Sequence, residues 1–279
     1  MSCPQNNQRL AIIPNYTRKN TEAVCEAVCA ELKALSMPYT LCEKDTDTGE
    51  IEKTIADADI AVAIGGDGTI VRTAKIAAGL KKPVLGINSG TLAFMAGLES
   101  NEIKLLKNLQ SGAYSIDRRM LLKVSLYKNS ELVRTDYCIN DAVFTRHGEV
   151  KIIEADVFSD GIKVDTYRAD GIIFATPTGS TAYSLSAGGP AVEPTLESIM
   201  LTPMCPHSLS QRPIIFGADA TLSVKFSDYN PDCCLSCDGE SRIPLDDSYE
   251  SVITRGEYTA DFIRIKNERF WTVLKNKIK

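Results

Sequence analysis

Two glycine-rich segments hold the residue types that could do chemistry. Gly65-Gly66-Asp67-Gly68-Thr69 stands where a short apolar run, Ile60 to Ile64, gives way to a helical pattern. Glycines on both sides of one carboxylate let the backbone come close to a ligand, and the start of a helix offers unpaired N–H groups to a phosphate or hydroxyl. Asp67 would then point at whatever is held there. Val71 occupies the position where a dinucleotide fingerprint needs its third glycine, and no Gly-Lys-Ser/Thr makes this a Walker A loop. The plainer use of the segment is a tight turn in which Asp67 caps the helix.

The second segment runs from Asp170 to Pro190, an apolar stretch followed by Thr176-Pro177-Thr178-Gly179-Ser180-Thr181-Ala182-Tyr183-Ser184-Leu185-Ser186 and the turn Gly188-Gly189-Pro190. Its hydroxyls and backbone amides suit a sugar and the edge of a base better than they suit a core. Gly179-Ser180-Thr181-Ala182 lacks the Gly-x-Ser-x-Gly elbow, so Ser180 does not read as a hydrolase nucleophile. His207, between Pro206 and Ser208, reads as a structural or subunit-contact residue rather than a ligand. Cys234-x-x-Cys237 has the spacing of half a zinc site, but no second Cys/His pair lies near it, and no metal-ligating set is expected.

Positioning these segments takes two kinds of scaffold. Leu10 to Ile13 reads as a buried strand, and Val24, Val28, Leu32 and Leu35 fall at helical spacing between about Asn20 and Ser36. Ile60 to Ile64, a helix from Thr69 to Ala78, and Val84 to Ile87 after Pro83 continue the rhythm. Alternating strands and helices predict a Rossmann-like α/β domain with a parallel sheet. From about Met120 the period changes to two: Leu122, Val124 and Leu126 alternate with polar residues, as do Leu222, Val224 and Phe226. Half-buried antiparallel strands are expected there, with hairpin turns at Lys128-Asn129-Ser130 and Ser159-Asp160-Gly161. The predicted division is 1–117 as the α/β domain, with a helical tail in 259–279 packing back on it, and 118–258 as a largely antiparallel β domain. The active site is expected in the crevice between them.

Composition narrows the classes further. The 279 residues are 44% hydrophobic and 24% charged with net charge -5, and no apolar run reaches the ~18 residues of a membrane span. The acidic balance argues against a nucleic-acid partner, and no membrane partner is expected. The polar start, Met1 to Arg9, and nine scattered cysteines fit a cytoplasmic chain with reduced thiols, most of them buried as small hydrophobes.

In order along the chain, Gly65 to Thr69 with Arg72, Asn88-Ser89-Gly90-Thr91-Leu92-Ala93-Phe94, Asn140-Asp141, Arg168-Ala169-Asp170-Gly171, Thr176 to Ser184, Pro206 to Pro213 and Cys237-Asp238-Gly239-Glu240 resemble the motif set of the NAD kinase family. The resemblance covers most of residues 60–240. Asp141 stands where the family often has Glu, and Thr91-Leu92-Ala93-Phe94 replaces the usual His-Leu-Gly-Phe. Membership would imply transfer of a phosphoryl group from ATP, with Mg2+ or another divalent cation, to the 2′-hydroxyl of the adenosine ribose of NAD. Asp67 is then implied as the base. Asn140, Thr181, Ala182 and Tyr183 would hold the adenine and its ribose, Asp141 and Ser186 the second nucleoside, and Phe94 an aromatic face. Gly66, Gly68, Thr69, Arg72, Arg168, Asp170, Ser180, Ser184 and Leu185 complete the implied binding set, with Arg168 influencing the choice between NAD and NADH. The resemblance further implies a homodimer or homotetramer. A kinase of a lipid or sugar using the same glycine loop is the rival enzyme, against which Asn140-Asp141 and Thr176 to Ser186 count. A nucleotide-binding module without catalysis is the other rival, against which Asp67 counts.

Overall fold

Apolar runs of five or six residues shed water on both faces only inside a sheet covered by helices, and that is how the first part of the chain is built. In the structure, a computed structural model, residues 8–90, 93–146, 152–208, 210–226, 233–240, 242–266 and 270–277 are described. Thr91 and Leu92 of the motif set, Leu209 and Cys3 lie outside them. The chain clusters into two compact units, Met1–Arg118 with Tyr258–Lys279, and Arg119–Glu257.

The first unit alternates β1 (Leu10–Pro14), α1 (Thr21–Ala34), β2 (Tyr39–Leu41), α2 (Thr48–Ala56), β3 (Ile60–Gly65), α3 (Asp67–Gly79), β4 (Val84–Asn88), β5 (Leu98–Glu99) and α4 (Lys107–Ser111). Its strands are parallel in the order β2-β1-β3-β4, with Leu98 beside Ile87. Every residue of β3 and β4 is buried. Helix α1 sets Val24, Cys25, Val28 and Leu32 into the same core as Ile12, Val62, Leu85 and Ile87. Full burial of each such aliphatic side chain contributes about 1.5–3 kcal/mol. After β2 the chain crosses back to lay β3 on the other side of β1. The carboxyl ends of β1 and β3 therefore diverge into a crevice, the place where open parallel sheets hold ligands.

The second unit contains most of β6 (Ser115–Lys128), β7 (Glu131–Cys138), β8 (Asp141–Arg146), β9 (Ile153–Ser159), β10 (Ile162–Ala169), β11 (Gly171–Ala175), the short α5 (Tyr183–Ser186), β12 (Ser198–Met204), β13 (Ile214–Gly217), β14 (Leu222–Phe226), β15 (Cys233–Cys237), β16 (Ile243–Leu245) and most of β17 (Tyr249–Arg264), before α6 (Phe270–Lys277). One antiparallel sheet has the order β13-β12-β11-β8-β15-β16, while the antiparallel run β10-β9-β14-β17, with β6 beside β17 and β7 beside β6, belongs to the same hydrogen-bonded sheet as the parallel strands, through the pairing of β17 with β4. Phe144, Phe174 and Phe226 meet in the core of this unit, Phe144 and Phe174 edge to face at 5.9 Å. The change of period thus separates a parallel α/β unit from an antiparallel β unit, as the sequence predicts.

Both hairpin turns form. Asn129 and Ser130 have φ 49° and 68°, and Asp160 and Gly161 have φ 52° and 78°, the left-handed pair that matches strand twist in a two-residue hairpin. Half-burial holds for β14 but not for the middle of β6, where Leu121 and Ser125 are buried along with Leu122 and Val124. That stretch is covered on both faces. Strand β17 serves both units: Glu250 to Ile253 pair with β14, and Phe262 pairs with Val84 of β4.

Gly86 lets α3 lie close on β4, because a Cβ there would stand 2.8 Å from Cδ1 and 3.0 Å from Cγ2 of Ile70. Gly86→Ala is expected to lower stability by about 1–2 kcal/mol through overpacking. Ile70→Val in the same chain, by removing Cδ1, should return part of it. Urea denaturation of the two single variants and the double measures the coupling, and additive losses would show that this contact is not felt.

Candidate active site

The glycine loop begins helix α3 two residues earlier than the sequence pattern predicts, at Asp67 rather than Thr69. The N-cap is Gly66 in an extended conformation, without a side-chain cap. Asp67 therefore does not cap its own helix, and that alternative is set aside. Its carboxylate turns to another loop instead. Oδ2 accepts the N–H of Phe94 at 2.9 Å and Oδ1 accepts the N–H of Met95 at 2.8 Å.

That loop is tied from several sides. Asn88, fully buried at the end of β4, donates from Nδ2 to Glu99 at 2.7 Å and accepts the N–H of Gly90 at 2.8 Å. The N–H of Ser89 donates to the Gly65 carbonyl at 3.1 Å, and the hydroxyls of Ser89 and Thr21 meet at 2.8 Å. Arg264 donates to the carbonyls of Met95 and Ala96, each at 3.2 Å, while its Nε pairs with Asp117 at 3.0 Å. With carbonyls and amides both committed, the N–H groups of Phe94 and Met95 stay aimed at Asp67.

On the crevice side, the N–H of Asn15 donates to Ile64 at 2.9 Å and its Nδ2 to the Thr69 hydroxyl at 2.9 Å. This links the carboxyl ends of β1 and β3 to the first turn of α3. A cavity of about 650 Å³ opens there, lined by Tyr16, Lys44, Gly68, Thr69 and Arg72 among others, including Glu43 and Asp45. Its volume suits a nucleotide-sized ligand. Arg72 is exposed and donates to the Thr48 hydroxyl at 2.9 Å.

In the second unit the structure gathers Asn140, Asp141 and the loop Thr176 to Ser186. Thr176 donates its hydroxyl to the Ile139 carbonyl at 2.5 Å and its N–H to the Asn140 carbonyl at 2.9 Å, then accepts the N–H of Gly179 at 3.0 Å. Gly179 is forced by close approach: a Cβ would lie 2.0 Å from the Asn140 carbonyl oxygen. Thr181, Ala182, Leu185 and the exposed Tyr183 and Ser186 remain open to a ligand. Ser180 and Ser184 do not. Both are fully buried, Ser180 bonded to Pro177 and Val192 and Ser184 to the Thr202 hydroxyl. Their hydroxyls brace the loop.

Asp141 is 5% exposed, and its carboxyl is pushed up to about 7, first by burial and then by the negative charge of Asp238, against the pull of the Tyr183 N–H. Asp238 is the residue that reading the sequence missed. It stood in a quoted motif without a role, yet its carboxylate accepts the N–H groups of Ile139, Asn140 and Asp141.

Arg168 and Asp170 fall elsewhere. Strand β11 runs from Gly171 beside Thr145 to Ala175 beside Asp141. At ~3.3 Å per residue, this puts Arg168 and Asp170 at the far end of the strand, roughly 13 Å or more from the Asp141 cluster. There Arg168 pairs with Glu154 of the neighbouring strand at 2.5 Å and Asp170 with Arg146 at 3.5 Å. His207 is exposed nearby, its N–H donating to the Arg168 carbonyl at 2.9 Å. Cys233, Cys234 and Cys237 are buried on β15, and among the described residues no group of three or more His, Cys, Asp or Glu is placed to hold a metal ion.

Family models decide the kinship. The model for the ATP-NAD kinase N-terminal domain matches residues 8–114, and that for the ATP-NAD kinase C-terminal domain matches residues 139–265. The chain belongs to the NAD kinase family. An NAD kinase of Caldanaerobacter subterraneus subsp. tengcongensis is 39% identical over 282 aligned positions, covering 97% of this chain and 99% of that one. An NAD kinase of Thermoanaerobacter sp. (strain X514) is 36% identical with the same coverage. Among solved structures, yeast NADH kinase complexed with NADH superposes with a TM-score of 0.84 at 27% identity, covering 97% of this chain and 87% of that one. An NAD kinase from Archaeoglobus fulgidus in complex with ATP gives 0.75 at 28% identity, covering 97% and 98%. In this family member both glycine-rich segments are thus tied to residues distant in sequence.

The raised carboxyl of Asp141 makes stability depend on pH with a definite sign. An ordinary Asp titrates near ~3.9, so between about 4 and about 7 the folded chain keeps a proton that the unfolded chain has released. The stabilisation from Asp141 is present in full below that window and is lost as pH rises through it. Urea melts of the wild type and Asp141→Asn at pH 5 and pH 8 are expected to show a wild-type loss across this range that the variant lacks. Equal pH dependence of the two would remove Asp141 as the source.

Proposed function

We propose that this chain transfers the γ-phosphoryl group of ATP to the 2′-hydroxyl of the adenosine ribose of NAD, producing NADP. The observation that carries the reading is the Asp67 carboxylate, anchored by the Phe94 and Met95 amides at the start of α3 beside the crevice. Phosphoryl transfer leaves a protein chiefly the work of placing reactants and neutralising charge. Each Asp67 oxygen accepts one backbone N–H and retains a second lone-pair direction, so the anchored carboxylate can still accept a ribose hydroxyl proton.

Gly68, Thr69 and Arg72 then receive the donor phosphates, with Lys44 as a second cation lining the same cavity. Backbone N–H groups in the first turn of α3 and the helix dipole favour that charge. Asn140, Thr181, Ala182 and Tyr183 hold the adenosine of the acceptor, and Asp141 and Ser186 its second nucleoside. Phe94 supplies an aromatic face. A divalent cation such as Mg2+, which keeps its waters and needs few protein ligands, would enter with ATP and supply charge neutralisation. The same reading makes the protein a cytoplasmic homodimer or homotetramer, an assembly that light scattering of the purified chain tests.

Purified protein with Mg-ATP and NAD is expected to form NADP. Turnover of ATP on a lipid or sugar without NADP would establish the rival acceptor instead. Asp67→Asn keeps the size of the side chain and one acceptor oxygen but loses the base. Its kcat should fall by ~10² to 10⁴, while calorimetric NAD affinity changes by less than about tenfold. Near-wild-type turnover of a folded Asp67→Asn sample would take Asp67 out of the chemistry.

A further inference from the structure

The turn that joins β15 to β16 reaches back across the sheet to the connection between β7 and β8. Oδ1 of Asp238 accepts the N–H of Asn140 at 2.7 Å and of Asp141 at 3.1 Å, and Oδ2 accepts the N–H of Ile139 at 2.8 Å. The N–H of Asp238 in turn donates to the Asp141 carbonyl at 2.9 Å. Three successive amides converging on one carboxylate form an anion-binding concavity that Asp238 fills.

The opposite side of the same peptides is also taken, since Thr176 bonds the carbonyls of Ile139 and Asn140. Amides toward Asp238 and carbonyls toward Thr176 leave the peptide planes of residues 139–141 no freedom to rotate. The directions in which the Asn140 and Asp141 side chains leave the backbone follow from those planes. Asp238 and Gly239 sit at φ 50° and 73°, a left-handed pair that brings the Asp238 carboxylate under the amides.

We propose that Asp238 is a positioning residue for the dinucleotide acceptor, holding Asn140 and Asp141 in their binding orientation through the backbone without touching the ligand itself. The proposal rests on the reading of Asn140 and Asp141 as acceptor contacts.

Two substitutions remove the carboxylate without straining the turn, because asparagine and glycine both accept a left-handed backbone. Asp238→Asn keeps the Oδ1 bonds but sets an amide donor against the N–H of Ile139. Asp238→Gly gives up all three bonds. Because charged acceptors make the stronger hydrogen bonds, KM for NAD should rise about tenfold in Asp238→Asn and about a hundredfold or more in Asp238→Gly. KM for ATP should stay within about twofold, the split that a general loss of structure would not produce. If Asp238→Gly fails to fold, Asp238→Asn decides alone. KM for NAD within about twofold of wild type in Asp238→Asn, or an equal rise of both KM values, overturns the proposal. Asp141→Asn, measured alongside, tests the reading beneath it: unchanged KM for NAD in that variant refutes the contact assignment, whereas a raised value with normal Asp238 variants refutes only the positioning role.

Discussion

A carboxylate held by main-chain amides of a distant loop is the interaction on which the organisation of this protein depends. An exposed aspartate in a glycine loop samples several rotamers, and at the first position of a helix it has no fixed direction of its own. Two N–H groups from Phe94 and Met95 give Asp67 that direction. The buried Asn88, the Ser89–Thr21 hydroxyl pair and the Arg264 guanidinium then fix the amides themselves. Much of the first unit's polar interior serves one side chain.

The second unit repeats the device with a different purpose. There the carboxylate of Asp238 organises backbone rather than being organised by it, and the cost appears at Asp141, whose carboxyl is crowded by burial and by a second negative group. A carboxyl poised near neutrality is what results when it is buried beside a second acid whose own charge is held by three N–H groups. The glycine-rich loop beside it shows the same division of labour. Ser180 and Ser184 face inward and stiffen the turn, so that Thr181, Tyr183 and Ser186 face outward from a rigid base.

Much of this architecture was legible because local pattern and fold agree. β1, β3 and β4 are short apolar runs bounded by proline, glycine or asparagine, α1 shows its buried stripe at Val24, Val28 and Leu32, and the hairpins at Asn129 and Asp160 announce themselves by turn residues. The start of α3 was misplaced because an extended Gly66 can serve as N-cap with no side chain to advertise it. What local pattern could not show is contact across the chain. Asp238 lies 97 to 99 residues from the amides it holds, and Asp67 27 and 28 from its own. Nor does a count of hydroxyls tell Ser180, turned into the core, from Ser186, turned out. Arg168 and Asp170 enter the implied binding set through the motif match alone, and local pattern does not show that strand β11 separates them from Asp141 by its whole length.

Strand β17 follows every other strand in the chain, and it pairs with β14 in one unit and with β4 in the other. During synthesis, therefore, β14 leaves the ribosome with one edge uncovered, and β4, covered on the same side by β5 at Ile87 and Asn88, has its Val84 end open there, until the same late segment arrives. Unpaired edges are templates for association with other chains. Until residues 249–264 emerge, those edges are open to pairing with other chains, and a chain cut short of them would keep them open.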